Sequence, residues 1–295
     1  MREQTTSVGA GHGERILAEA VDAYRVVLGG RLLAAYALGS LAHGGFSELV
    51  SDIDLGLIVS DPPLPTDGSM IQVVAEAEKG KGPALRKRLS VFWGTPAMLR
   101  GEREGGRFPA LDRLDLIENG RLLAGADDVR LGLPRPGTHE LVVTGAEFAL
   151  DYLAGSRLGG EPGQGSAPPR PAGKDPIEEI RSPDLLFAQG VRRLTKLVLF
   201  PVRFLYTAAT GRIGTNDDAA AWYLATDAPS SRLVAAALDW RTSQPTDEVA
   251  AVALLREQIA PLYLHYISDH ISRLDALGEV ELAAAFGEWR RRLVR

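Results

Sequence analysis

The sequence predicts an α/β first half followed by an all-α second half. Three observations carry this. Continuous apolar, β-rich runs occur early in the chain; beyond Pro183 strand signals stop and apolar residues recur at helical spacing; between them, 11 of the 22 residues of 155–176 are Gly or Pro. That stretch has almost nothing to bury and reads as a linker. With 295 residues, a little under twice the usual domain length of about 150, two domains are expected.

Taken in order, residues 1–13 are polar and Gly-bearing and read as a flexible tail. From Glu14, the residues Ile16, Leu17, Ala20, Val21, Tyr24, Val27 and Leu28 make one helical stripe, which Gly29-Gly30 stop. Leu32–Leu38 is a continuously apolar strand that ends at Gly39-Ser40. Ile53, Leu55, Leu57, Ile58 and Val59 form a second strand behind Asp52, and 89–93 a third, between Arg86-Lys87-Arg88 and Gly94-Thr95-Pro96. Helices are expected over 185–210, 216–226, 232–240, Glu248–Leu277 and 279–294, with Thr215 as an N-cap. The boundaries are thus 1–13 tail, 14–154 first domain, 155–176 linker and 177–295 helical domain.

Composition excludes several classes. Lys plus Arg number 33 against 38 Asp plus Glu, a formal charge of -5, so no general attraction to nucleic acid or anionic membrane exists. Without Cys there is no disulfide, thiol nucleophile or thiolate metal site, and a metal would need oxygen or imidazole ligands. The longest apolar runs, such as Leu32–Leu38, fall far short of the ~18 residues that span a bilayer, and the N-terminus has no apolar signal region. The expectation is a cytoplasmic protein.

One stretch carries chemistry: Leu38-Gly39-Ser40, eleven residues, then Asp52-Ile53-Asp54-Leu55. Residues i and i+2 of a strand share a face, so Asp52 and Asp54 present paired carboxylates that would repel unless a hard cation such as Mg²⁺ lies between them. A turn at Gly39-Ser40 lets the backbone approach closely and offers N–H groups and one hydroxyl to a polyphosphate. The bland reading is a solvated strand entrance beside an ordinary turn. Arg192, Lys196 and Arg203 share one helical face, which could hold a triphosphate or simply be solvated.

The Gly-Ser turn followed at this spacing by Asp-Ile-Asp-Leu resembles the DNA polymerase β-type nucleotidyltransferase superfamily, with His43-Gly44-Gly45 and Ser51 in places common among its bacterial members. Arg203-Phe204-Leu205-Tyr206-Thr207, Gly211-Arg212-Ile213, Asp217, Ala219-Ala220, Trp222 and His265-Tyr266 resemble the helical domain of streptomycin/spectinomycin adenylyltransferases. The resemblance implies a short mixed sheet, a helical bundle closing a cleft, Mg²⁺ on Asp52 and Asp54, and ATP held by Gly39, Ser40, Ser51, Lys196 and Arg241. It implies AMP transfer to a hydroxyl of a small, aminoglycoside-like molecule. Two departures stand out: Leu205 occupies the place of a substrate-stacking Trp, and Ser90 that of a third-strand carboxylate. Near pH 7 a serine hydroxyl takes up no proton, so a base would come from Asp112, Asp115, Glu118 or Asp217. The alternatives are a toxin-like modifier of tRNA or protein and, because of Ser90, a non-catalytic nucleotide-binding protein.

Overall fold

The computed structural model describes residues 2–155 and 175–295, the side chains of 2–10 excepted. Two compact units, Met1–Pro136 and Gly137–Arg295, make up the chain.

The first unit runs α1 (Arg2–Leu28), β1 (Leu32–Leu38), α2 (Gly39–His43), β2 (Ile53–Val59), α3 (Asp67–Gly80), β3 (Leu89–Gly94), α4 (Pro96–Leu99), α5 (Ala110–Asn119) and β4 (Arg121–Gly125). The strand order is β3-β2-β1-β4; β1 is antiparallel to β2 and β4, and β2 is parallel to β3. This is the expected short mixed sheet. Because strand side chains alternate, its two faces have separate cores. Ile53, Leu55, Leu57 and Val59 join Ala35, Ala37, Leu89 and Val91 against Leu17, Tyr24 and Ile71 of α1 and α3. Ala34, Tyr36, Leu38, Ile58 and Phe92 form the other core with Leu99 of α4 and Leu116 of α5. Gly56 lies on that second face, where a Cβ would stand 3.2 Å from both Leu38 and Phe108.

The expected 1–13 tail is corrected: α1 begins at Arg2. Gly13 is a packed position of that helix, where a Cβ would stand 3.0 Å from Leu41 Cδ1. Missing side-chain volume, which reads as flexibility in a sequence, here admits a neighbour.

The second unit holds α6 (Thr138–Tyr152), α7 (Pro176–Arg181), α8 (Pro183–Ala188), α9 (Val191–Thr210), α10 (Asn216–Leu224), α11 (Ser231–Trp240), α12 (Glu248–Leu277) and α13 (Val280–Val294). The helix expected over 185–210 is two, parted at Gly190, whose φ of 87° no helix interior tolerates. Thr215 caps α10, its side chain accepting the Asp218 amide at 2.9 Å. The division between units falls at Pro136/Gly137 rather than after 154, because Val142, Ala146, Ala149 and Leu150 of α6 are buried with Leu197, Val198 and Val202 of α9 and with α12 and α13. Of the expected 155–176 linker, residues 156–174 lie outside the described residues. Among the described residues no helix is long and apolar enough to cross a membrane.

His270 of α12 is 1% exposed, 4.3 Å from the Tyr266 ring and stacked on Phe286 at 5.8 Å. Its Nδ1 lies 3.3 Å from Asp269 Oδ2 but lacks hydrogen-bond alignment. Burial lowers the His270 pKa, Asp269 only partly opposing it, so acidification protonates the unfolded chain before the folded one. The stability contributed by neutral His270 is complete above the ordinary value of 6.5 and is lost as pH falls below it. Thermal melts from pH 7.5 to 5.5 are expected to show a falling midpoint, at most about 1.4 kcal/mol per pH unit for one group. The fall should flatten in His270→Phe; an equal slope in that variant would assign the effect elsewhere.

Candidate active site

The paired carboxylates sit where the sequence places them. Asp52 immediately precedes β2, and Asp54 is its second residue, half-buried, on the face of Gly56 and Ile58. Strand register sets Leu38 opposite Asp54 on one side and Ser90 opposite Asp54 on the other. Residues paired in register share a face, so Ser90 flanks Asp54 on the same face of the sheet. The position implied to carry a third carboxylate is therefore at the site, and it holds a hydroxyl.

At the end of β1 the chain turns into α2 through Gly39, with φ of 59°. A Cβ there would lie 2.5 Å from Asp54 Oδ2. Only glycine satisfies both the left-handed backbone and this approach. Gly39→Ala is expected to cost about 1–3 kcal/mol, the usual range for a strained backbone conformer, and to push Asp54 off its position. Urea melts would show it, with Gly30→Ala as the control; no atom lies within 4 Å of a Cβ at Gly30. Equal stability for the two variants would remove the close approach from the argument.

The Gly39 amide donates to Asp115 Oδ2 at 2.6 Å, so it is engaged by α5 rather than offered to a phosphate as expected. Ser40, half-buried, is the second residue of α2. The Ser51 hydroxyl accepts the Ser47 amide at 3.0 Å, and the Ser51 amide donates to Ser47 O at 2.8 Å. Ser51 thus closes the turn that delivers Asp52. Arg88 braces the same turn, Nη1 donating to Glu48 O at 2.7 Å.

Arg107 has no sequence signal, lying outside any periodic segment, yet it comes to this face. Its Nη1 donates to Val91 O at 2.6 Å and its guanidinium lies 4.9 Å over the Phe92 ring. Burial lowers its pKa while the carboxylates of Asp112 and Asp54 support its charge. Of the other candidate bases, Asp115 holds Gly39, Glu118 pairs with Arg135, and Asp217 lies in the second unit, where Arg241 Nη1 reaches its Oδ2 at 3.1 Å.

Lys196 and Arg241 also belong to the second unit. Lys196 Nζ stands 5.7 Å over the Phe200 ring, and Arg241 is 5% exposed. Leu205 is buried in the helical core; the neighbouring Phe204 is half-buried, 5.8 Å from Phe148 and 6.1 Å from Phe200.

No family model matches the chain, and no curated protein does. Among solved structures it is similar to a spectinomycin adenyltransferase. That protein is AAD(9) from Enterococcus faecialis, in a crystal with ATP and spectinomycin. The alignment covers 83% of this chain and 98% of that one at 12% identity and a TM-score of 0.48.

Among the described residues no group of three or more His, Asp or Glu side chains could hold a metal. A two-carboxylate donor set is nevertheless one that suits Mg²⁺, which is bound by one or two carboxylates and completes its octahedron with water and substrate phosphate.

Proposed function

We propose that the chain is a nucleotidyltransferase, passing a nucleoside monophosphate from a nucleoside triphosphate to a hydroxyl of a small molecule. The observation that carries this is the meeting of Gly39 with Asp54: a glycine turn that opens α2 is held against the carboxylate of an Asp-x-Asp strand, at one end of the sheet. ATP is the nucleotide that the motif resemblance implies, and the -5 charge favours a small acceptor over RNA.

Asp52 and Asp54 would hold Mg²⁺, which when bound neutralises charge on the triphosphate and on the leaving pyrophosphate. The Ser40 hydroxyl would donate to a phosphate oxygen. Arg107 supplies fixed positive charge beside Asp54, offsetting the crowding of anions on this face. In the transfer, the acceptor oxygen loses its proton to solvent water and bonds to the α-phosphorus; the bond to the bridging oxygen breaks, and its electron pair leaves with pyrophosphate. Ser90 cannot take that proton.

A second reading, a nucleotide-binding protein without turnover, is favoured by one observation, Ser90 in register with Asp54. Calorimetry with Mg·ATP, followed by pyrophosphate release across a panel of hydroxyl acceptors, separates the two. Binding with release supports the transferase; binding without release for any acceptor supports the second reading; absence of Mg²⁺-dependent binding removes both.

A further inference from the structure

Gly39 is clamped from two sides by carboxylates of different kinds. On the α5 side, Asp115 is 6% exposed and its Oδ2 accepts the Gly39 amide at 2.6 Å, a short charge-assisted bond. The other oxygen, Oδ1, accepts Asn119 Nδ2 at 2.9 Å, so each oxygen of the carboxylate is engaged. The helix that carries Asp115 is itself anchored: Leu116, the next residue, is fully buried among Tyr36, Leu38 and Phe92. On the β2 side, Asp54 Oδ2 fills the space a Cβ of residue 39 would take. Rotation of the Gly39 peptide would break the bond to Asp115 and alter the gap that Asp54 occupies.

We infer that Asp115 is a positioning residue for Asp54, acting through Gly39: it fixes the peptide against which the candidate metal carboxylate rests. This rests on the nucleotidyltransferase reading and deepens it. It also assigns the Gly39 amide to the scaffold, so the phosphate donors of the turn begin at Ser40. Residues hydrogen-bonded directly to a metal ligand usually change metal affinity by about 10–100-fold, and Asp115, acting through one further residue, is expected at the low end of that range.

The test uses the full chain in four forms: wild type, Asp115→Asn, Asp115→Ala and Asp54→Asn. Mn²⁺ binding in the presence of α,β-methylene-ATP is read by electron paramagnetic resonance, and backbone hydrogen exchange is read over residues 36–43. Asp115→Asn keeps an oxygen that accepts the Gly39 amide and is expected to bind Mn²⁺ within about threefold of wild type. Asp115→Ala leaves that amide without its acceptor; it is expected to lose about tenfold or more in Mn²⁺ affinity and to exchange faster over 36–43. If Asp115→Ala does not fold, Asp115→Ser, too short to reach, is read in the same way. Wild-type affinity in the Ala or Ser variant, even with faster exchange, would reduce Asp115 to a cap of α2 and overturn the inference. So would an Asn variant as weak as Ala, since charge and not acceptance would then be what matters. A wild type that binds no Mn²⁺ with the nucleotide, or binds it as well after Asp54→Asn, overturns the nucleotidyltransferase site itself, and this inference with it.

Discussion

Asp54→Asn is expected to eliminate Mg²⁺-dependent nucleotide binding and to lower pyrophosphate release by at least about 10²–10³-fold. The substitution keeps shape and removes charge. A divalent ion held by only two side chains has no third ligand to fall back on, and an amide oxygen carries no net charge to attract Mg²⁺. Stability should change little. One of two crowded carboxylates disappears, a gain, while Arg107 keeps Asp112 but loses Asp54, a cost. These oppose each other, so the melting free energy should stay within about 1 kcal/mol of wild type. Unchanged Mg·ATP affinity in both Asp54→Asn and Asp52→Ala would show that the nucleotide binds elsewhere.

Ser90→Glu is expected to raise the rate of pyrophosphate release by about 10²–10⁴-fold, the usual contribution of a general base. The register makes this a fair test: residue 90 stands beside Asp54 on the same face, so a carboxylate introduced there joins that of Asp54. Ser90 is half-buried, which leaves room for a longer side chain. The affinity for Mg·ATP should shift less than the rate, because the new group acts on the acceptor proton. A wild type that already turns over well, and is slowed by the change, would mean that the working base lies outside β3; Asp112→Ala is then the informative next variant.

The strands were legible because burial on both sides makes them nearly continuous in apolar residues. Leu32–Leu38 has the predicted bounds, and β2 and β3 follow prediction to within a residue. Glu248–Leu277 is likewise the predicted helix, its buried stripe running from Ala251 to Leu274. β4 was not legible: it is an edge strand of five residues with only Ala124 buried, too short for a period to emerge. α5 was missed because one of its buried positions is occupied by Asp115 rather than by an apolar residue, and an acidic inward position reads as surface. The paired carboxylates Asp52 and Asp54 and the glycine turn could be read because they are contiguous motifs. Arg107 and Asp115 reach the same place from distant segments, and only the pairing of strands and helices brings them there.

The segment 156–174 connects α6 to α7, two members of the same helical unit, while the passage between units is at Pro136–Gly137. A cut within that segment would therefore not free one unit from the other. It would give two fragments, the N-terminal one ending in α6, whose Val142, Ala146, Ala149 and Leu150 are indispensable to the hydrophobic interior of the C-terminal one. Such fragments belong together as a complementing pair: expressed separately, each would lack part of one core, and mixed, they would rebuild it. A break in the chain there falls within one folded unit and not between the two.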